Sequence, residues 1–228
     1  MKWLSRLELK YGRFAVRNLT FYLIGLNIGV FILSSLLLGG TNQHNPFEFV
    51  LSDILKGQLW RVFTFVFLPD SSNPIYIFLE MYLLYFIGTS LESYWGRFKF
   101  NVYYFFGMLG TILAAFIIGY GSTGLFINLS LFLAFATLFP DRELMIFFVL
   151  PVKAKFLGLL DAFYILYLLV MSLRFGQWSV VAAIIASLAN YLLFFSGDII
   201  NWIKLRKQVH NNRRRFFDQV RPFDRNRK

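Results

Sequence analysis

Cysteine is absent from the 228 residues, and histidine occurs only twice, at His44 and His210. The first absence excludes disulfides, thiol catalysis and Cys-ligated metals. The second restricts every mechanism that uses an imidazole base. Charge is scarce too. Charged residues make up 15% of the chain, against 57% hydrophobic and 20% aromatic, and the mean hydropathy is +0.58. A soluble domain of this length is nearer half apolar and a quarter charged. So much apolar area cannot be hidden in one water-surrounded core. Lipid is the natural solvent for the excess, and the length suits one domain of about six spanning helices.

Acidic residues are the scarcer sign, and the net charge is +11. The excess is concentrated at the ends. Lys204 to Lys228 holds ten Lys/Arg against two acids, and the first 17 residues hold five against one. Basic residues beside membrane spans mark the cytoplasmic side and meet anionic lipid headgroups. That reading is preferred to nucleic-acid binding. No cleavable signal peptide is expected, because no apolar run starts before Leu19 and no small-residue cleavage site follows it.

The pattern predicts three regions: a basic interfacial segment over 1–17, a six-span membrane domain over 18–203, and a basic, disordered or surface-bound cytoplasmic tail over 204–228. Within the first, Trp3, Leu4, Leu7 and Leu9 lie among charges. The predicted spans are 19–38, 74–88 (extending toward Leu91), 102–119, 125–139, 156–173 and 180–195. Segment 41–72 is amphipathic. Its apolar run Val62–Leu68 is too short to cross about 30 Å of hydrocarbon, so an interfacial or re-entrant element facing outward is expected. The stretch LMIFFVLPVKAK is expected to be interfacial. Six spans put both basic termini on the cytoplasmic side. The lack of retention signals, outer-loop glycosylation acceptors and cysteines favours a bacterial inner membrane over endoplasmic reticulum.

GQLWRVFTFVFLPD, followed by a span ending YLLYFIGTSLESYWGRFKF, resembles the rhomboid superfamily. LFLAFATLFPDREL is similar to the end of the fourth rhomboid span, FFVLPVKAKFLGLLDAFYILY to the start of the fifth, and AAIIASLANYLLF to the sixth. Order and spacing carry the resemblance over roughly 150 residues. It implies an all-α, rhomboid-like six-helix bundle with an amphipathic first loop.

Active rhomboids cut peptides within the membrane with a serine–histidine dyad, and this sequence departs from that pattern. Leu125 falls at the serine position, in STGLFINLS, without Gly-x-Ser-Gly. Ser187 falls at the histidine position, in Ala182-x-x-x-Ala186-Ser187. The oxyanion-holding positions of the second span map onto Tyr76 and Glu80; an ionised carboxylate there repels an oxyanion. Apart from any alignment, neither histidine lies in a predicted span, and serine is a poor nucleophile without a base. No catalytic residue is therefore assigned. A presenilin-like pair of aspartates is not met either: Asp161 and Gly197-Asp198 each match only half a motif.

Trp60-Arg61, Leu91-Glu92 and Phe147-Phe148…Lys153-Ala154-Lys155-Phe156 are similar to derlins and other rhomboid pseudoproteases. The resemblance implies binding of membrane or misfolded client proteins in membrane-protein quality control or trafficking, with anionic lipids at the basic termini. Three alternatives stand beside it: an intramembrane serine protease with an unrecognised arrangement, a small-solute transporter, and a scaffold.

Each candidate residue also has a structural reading. Arg61 is expected to lock the first loop by hydrogen bonds, with Trp60 at the interface. Glu80, costly inside a span, is expected to line a polar cavity with Asn128 and Asn190, to be paired, Arg61 being one partner, or to keep its proton. Asp161 is expected to pair with Lys155 or to snorkel. Asn128, Ser130, Ser187 and Asn190 are expected to bond between spans four and six. No cofactor is implied. No metal site is expected, because Glu80 and Asp161 lack further ligands at suitable spacing.

Overall fold

A computed structural model describes residues 2–38, 45–69, 71, 73–121, 124–146 and 150–196. His44, Phe147, Phe148, Asp198, His210 and the 204–228 tail lie outside the described residues. Residues Lys2–Tyr191 form one compact unit. The second begins at Leu192, and its described part is helical up to Ser196.

The chain is mostly helical. Among the described residues, five helices are long and apolar enough to cross a membrane: α2 (Leu19–Leu38), α5 (Pro74–Trp95), α6 (Arg97–Ile118), α8 (Ala154–Arg174) and α9 (Trp178–Ser196). A multi-pass membrane protein accounts for them. Only 22% of the apolar window of α8 is buried. Its exposed Phe163, Leu166, Tyr167 and Val170 suit contact with lipid rather than water. The helix α1 (Lys2–Tyr11) precedes the bundle.

Helix α7 (Leu125–Leu138) has 14 residues. At 1.5 Å per residue it is about 21 Å long, short of the roughly 30 Å hydrocarbon core. It packs against α5, α6 and α8. Its two ends reach opposite ends of the bundle. At the start, a Cβ on Gly124 would collide with the Val66 carbonyl of the first loop. At the finish, Phe139 meets Tyr94 of α5 with ring centroids 5.3 Å apart, and Arg142 donates to Ser90 Oγ at 3.0 Å. A core of Phe126, Ile165 and Ile184 joins α7, α8 and α9.

Two helix boundaries differ from expectation. ESYWGRFK reads as a charged turn, yet α5 continues to Trp95 and α6 starts at Arg97. The reversal needs only Gly96, whose φ of 81° is accessible to glycine at little cost. Glu92 thereby stays helical, and its carboxylate accepts from the Asn18 N–H at 2.8 Å and the Thr20 hydroxyl at 3.4 Å at the start of α2. Negative charge is favourable at a helix N-terminus.

Segment 45–69 forms short elements: β1 (Phe49–Val50), α3 (Leu51–Leu55) and α4 (Arg61–Thr64), then a 3-10 turn over Phe65–Phe67. Strand β1 pairs antiparallel with β2 (Tyr120–Gly121), with Phe49 opposite Gly121 and Val50 opposite Tyr120. Phe65, Val66, Phe67 and Leu68 are buried, so the short apolar run plugs the bundle instead of crossing it. The stretch expected to be merely interfacial contains a hairpin: β3 (Glu143–Ile146) pairs antiparallel with β4 (Leu150–Lys153).

Candidate functional site

The described structure has a groove of about 500 Å³ between α5 and α7. Helix α5 contributes Tyr76, Leu79, Glu80, Leu83, Leu84 and Ile87, an i, i+3/i+4 stripe on one face. Helix α7 contributes Leu125, Asn128, Leu129, Leu131 and Phe132, and Ser71 closes the loop end. Polar groups gather at that end. Asn128 Nδ2 donates to Glu80 Oε1 at 3.1 Å. Ser71 Oγ accepts the Asn73 N–H at 3.1 Å, just before α5. Tyr76 is 62% exposed at the rim. Beyond the Glu80–Asn128 pair the walls are aliphatic and aromatic.

Three positions singled out in the sequence, Tyr76, Glu80 and Leu125, thus meet in one groove, and Asn128 joins them. Ser187 does not line it. It is 1% exposed on α9, and its hydroxyl donates to the Ile184 carbonyl of its own helix at 3.0 Å. Asn190 is also elsewhere: Nδ2 donates to the Tyr103 carbonyl of α6 at 3.1 Å. The polar cavity is therefore Glu80 with Asn128, without Asn190. None of the four residues makes the expected bond between α7 and α9: Asn128 bonds to α5, Ser130 and Asn190 to α6, and Ser187 to its own helix, while Thr137 and Tyr191, with hydroxyls 2.8 Å apart, join α7 to α9. Ser130 pairs with Tyr103, whose hydroxyl lies 2.7 Å from Ser130 Oγ and 2.9 Å from its carbonyl oxygen. Tyr103 on α6 stands between the two helices, so both polar residues find it first.

No protein-family model matches the chain, and no curated protein matches it.

Arg61 is no partner of Glu80. Its guanidinium is buried, at 6% exposure, within the first loop. Nε donates to Gln58 Oε1 at 2.6 Å, and Nη1 donates to the carbonyls of Asn45 and Glu48 at 3.1 and 2.8 Å. Nη2 lies 3.6 Å from Asp53 Oδ2. The fork of donors closes the loop upon itself. Trp60 beside it is 52% exposed, as an interfacial tryptophan would be.

Asp161 departs from both readings made of it. Lys155 is held by Asp141 at 3.0 Å. Asp161 is 6% exposed on α8, and neither carboxylate oxygen has a hydrogen-bond partner among the described residues. It lies on the buried stripe Ala154, Gly158, Asp161, Ile165, so it cannot snorkel.

Two titrating groups outside the long helices are shifted. Burial, then Glu48, raises the Tyr120 phenol above its ordinary value. The Lys155 hydrogen bond lowers exposed Asp141. Among the described residues, no three acidic or histidine side chains come together as a metal site. The arrangement offers an apolar trough with one carboxylate–amide pair, which suits binding.

Residues such as Leu83, Leu84, Ile87 and Phe132 were not singled out beforehand. Helices α5 and α7 are apolar on every side, so periodicity in the sequence does not say which face packs and which lines a groove. The signal that was available was Glu80, whose cost inside a span marks where a polar partner must lie.

Proposed function

We propose that this chain is a rhomboid-like pseudoprotease that holds spans of membrane or misfolded client proteins in the α5–α7 groove, in quality control or trafficking. The observation that carries the reading is the groove itself. Its walls are apolar where a lipid-exposed helix would lie, and its polar pair, Glu80 and Asn128, sits at the loop end. An unstable client span is one that carries a polar residue, and a hydrogen-bonding partner inside the bilayer rewards that residue by about 1 kcal/mol. The resemblance supports the reading further, because the positions that replace the nucleophile and oxyanion groups, Leu125, Tyr76 and Glu80, line this groove. In this reading α2 and α5–α9 are six crossings, both termini are cytoplasmic, and the membrane is a bacterial inner membrane.

The test is site-specific photocrosslinking in cells, with the crosslinker at Tyr76 or Phe132 in the groove and at exposed Phe163 on α8 as control. Spans of other membrane proteins are expected at the first two positions and not at the third. Leu83→Trp should fill the trough and abolish capture, and Glu80→Leu should selectively lose clients whose spans carry polar residues. Lipid adducts alone would overturn client binding. Captured fragments ending at one defined bond would identify a protease, and proton-coupled uptake that requires Glu80 would identify a transporter.

A further inference from the structure

We propose that a second groove, between the N-terminal segment and α6, is a binding site for one anionic phospholipid. It encloses about 400 Å³. One wall is the α6 stripe Phe98, Val102, Phe105, Phe106 and Leu109. The other is Tyr11, Phe14 and Ala15. The twelve residues of helix from Phe98 to Leu109 span about 16 Å, close to one leaflet of a hydrocarbon core about 30 Å thick. That is the length of wall an acyl chain needs.

The rim is cationic. Lys10 Nζ lies 5.3 Å from the Tyr11 ring centroid, and the Arg13 guanidinium carbon lies 4.8 Å from that of Phe14. Both rings line the groove, so each cation lies against a residue of its wall, and both side chains are exposed. The nearby acid, Glu8, is engaged by Lys99 at 3.6 Å. The mouth therefore favours a phosphate, and the trough beneath favours a hydrocarbon chain; a phospholipid supplies both in one molecule.

The wall is built, not incidental. Asn101 Nδ2 donates to the Val16 carbonyl at 3.2 Å and ties the N-terminal segment to α6. Asn101 is 4% exposed, and its Oδ1 has no partner among the described residues. Asn101 is one of the residues that line the groove. A headgroup that carries hydroxyls, such as phosphatidylglycerol, offers Asn101 a donor, and phosphatidylcholine does not.

The test uses the purified, delipidated full chain in detergent, titrated by native mass spectrometry with phosphatidylglycerol or phosphatidylcholine of the same acyl chains. One saturable phosphatidylglycerol is expected to bind. The double variant Lys10→Gln/Arg13→Gln should lower that affinity about thirty-fold, as two cations at a lipid surface imply, with phosphatidylcholine binding and melting temperature unchanged. Val102→Trp should block both lipids; if it fails to fold, Leu109→Trp at the exposed lower end makes the same test. Equal affinity of wild type and double variant for phosphatidylglycerol would overturn the proposal. So would a site that fills only after residues 204–228 are deleted, because the chain's own tail would then be its occupant.

Discussion

At the residue scale, Arg61 holds more of the first loop than any other described side chain. Its removal leaves the Asn45 and Glu48 carbonyls and Asp53 without their shared donor. Charge-assisted bonds of this kind carry more than neutral ones. Arg61→Ala should cost about 3 kcal/mol, read as a lower melting temperature in micelles together with new protease cleavage between residues 45 and 60. Arg61→Lys should recover little, because a single ammonium cannot span the two carbonyls and the carboxylate. Gly124 is a second fixed point. A methyl group there runs into the Val66 carbonyl, a backbone atom that cannot swing aside. Gly124→Ala should destabilise by about 2 kcal/mol in the same melt. The Arg61 lock was legible in the sequence through the Trp60-Arg61 motif, whereas its burial and the identity of its carbonyl partners were not. The role of Glu92 was not legible either, because its partners at Asn18 and Thr20 lie over 70 positions away and no local pattern announces them.

At the scale of elements, α7 shows why a short helix can sit where longer ones surround it. Apolar contacts with Ile165 and Ile184 fix one side, and the Tyr103 hydroxyl at Ser130 fixes another. Tyr103→Phe leaves that hydrogen bond unmade inside an apolar bundle, at a cost of about 1 kcal/mol. Unfolding in mild detergent should show the loss, with Ser130→Ala in the same background adding little more. The β1–β2 pair gives a pH effect. Burial and the Glu48 carboxylate raise the Tyr120 phenol, so its neutral form is the stabilising one. That contribution is complete below the ordinary tyrosine value near 10 and is lost as pH rises through the higher folded value. An alkaline melt should therefore steepen above pH 10, and Tyr120→Phe should lessen the steepening. Hydropathy placed the five helices long enough to cross a bilayer, because about twenty apolar residues admit few other uses; it also marked α7, which has only 14 residues. It could not place the β3–β4 hairpin, whose residues Glu143 to Lys153 look interfacial in either conformation, nor choose the faces of helices that are apolar all round.

At the scale of the whole molecule, the course of α7 decides how the chain is threaded. Five helices meet the length of a bilayer and α7 does not. If α7 failed to cross, an odd number of crossings would put the two termini on opposite sides. Yet its first turn lies against the Val66 segment, and its end meets Tyr94 and Ser90 at the far end of α5. A helix of about 21 Å joins the two ends of the bundle because the plug over Phe65–Leu68 dips down to meet it on one side and Arg142 reaches up to Ser90 on the other. Neighbouring helices, not lipid, cover most of its length, so no hydrophobic mismatch arises there. The expected consequence is an even number of crossings with both basic ends on the cytoplasmic side. Fusing a reporter active only inside the cell to either terminus should give signal in both cases, and a reporter active only outside should respond when inserted next to Gly121. Signal from opposite sides at the two termini would mean that α7 turns back within the bundle, and the six-crossing arrangement would fall with it.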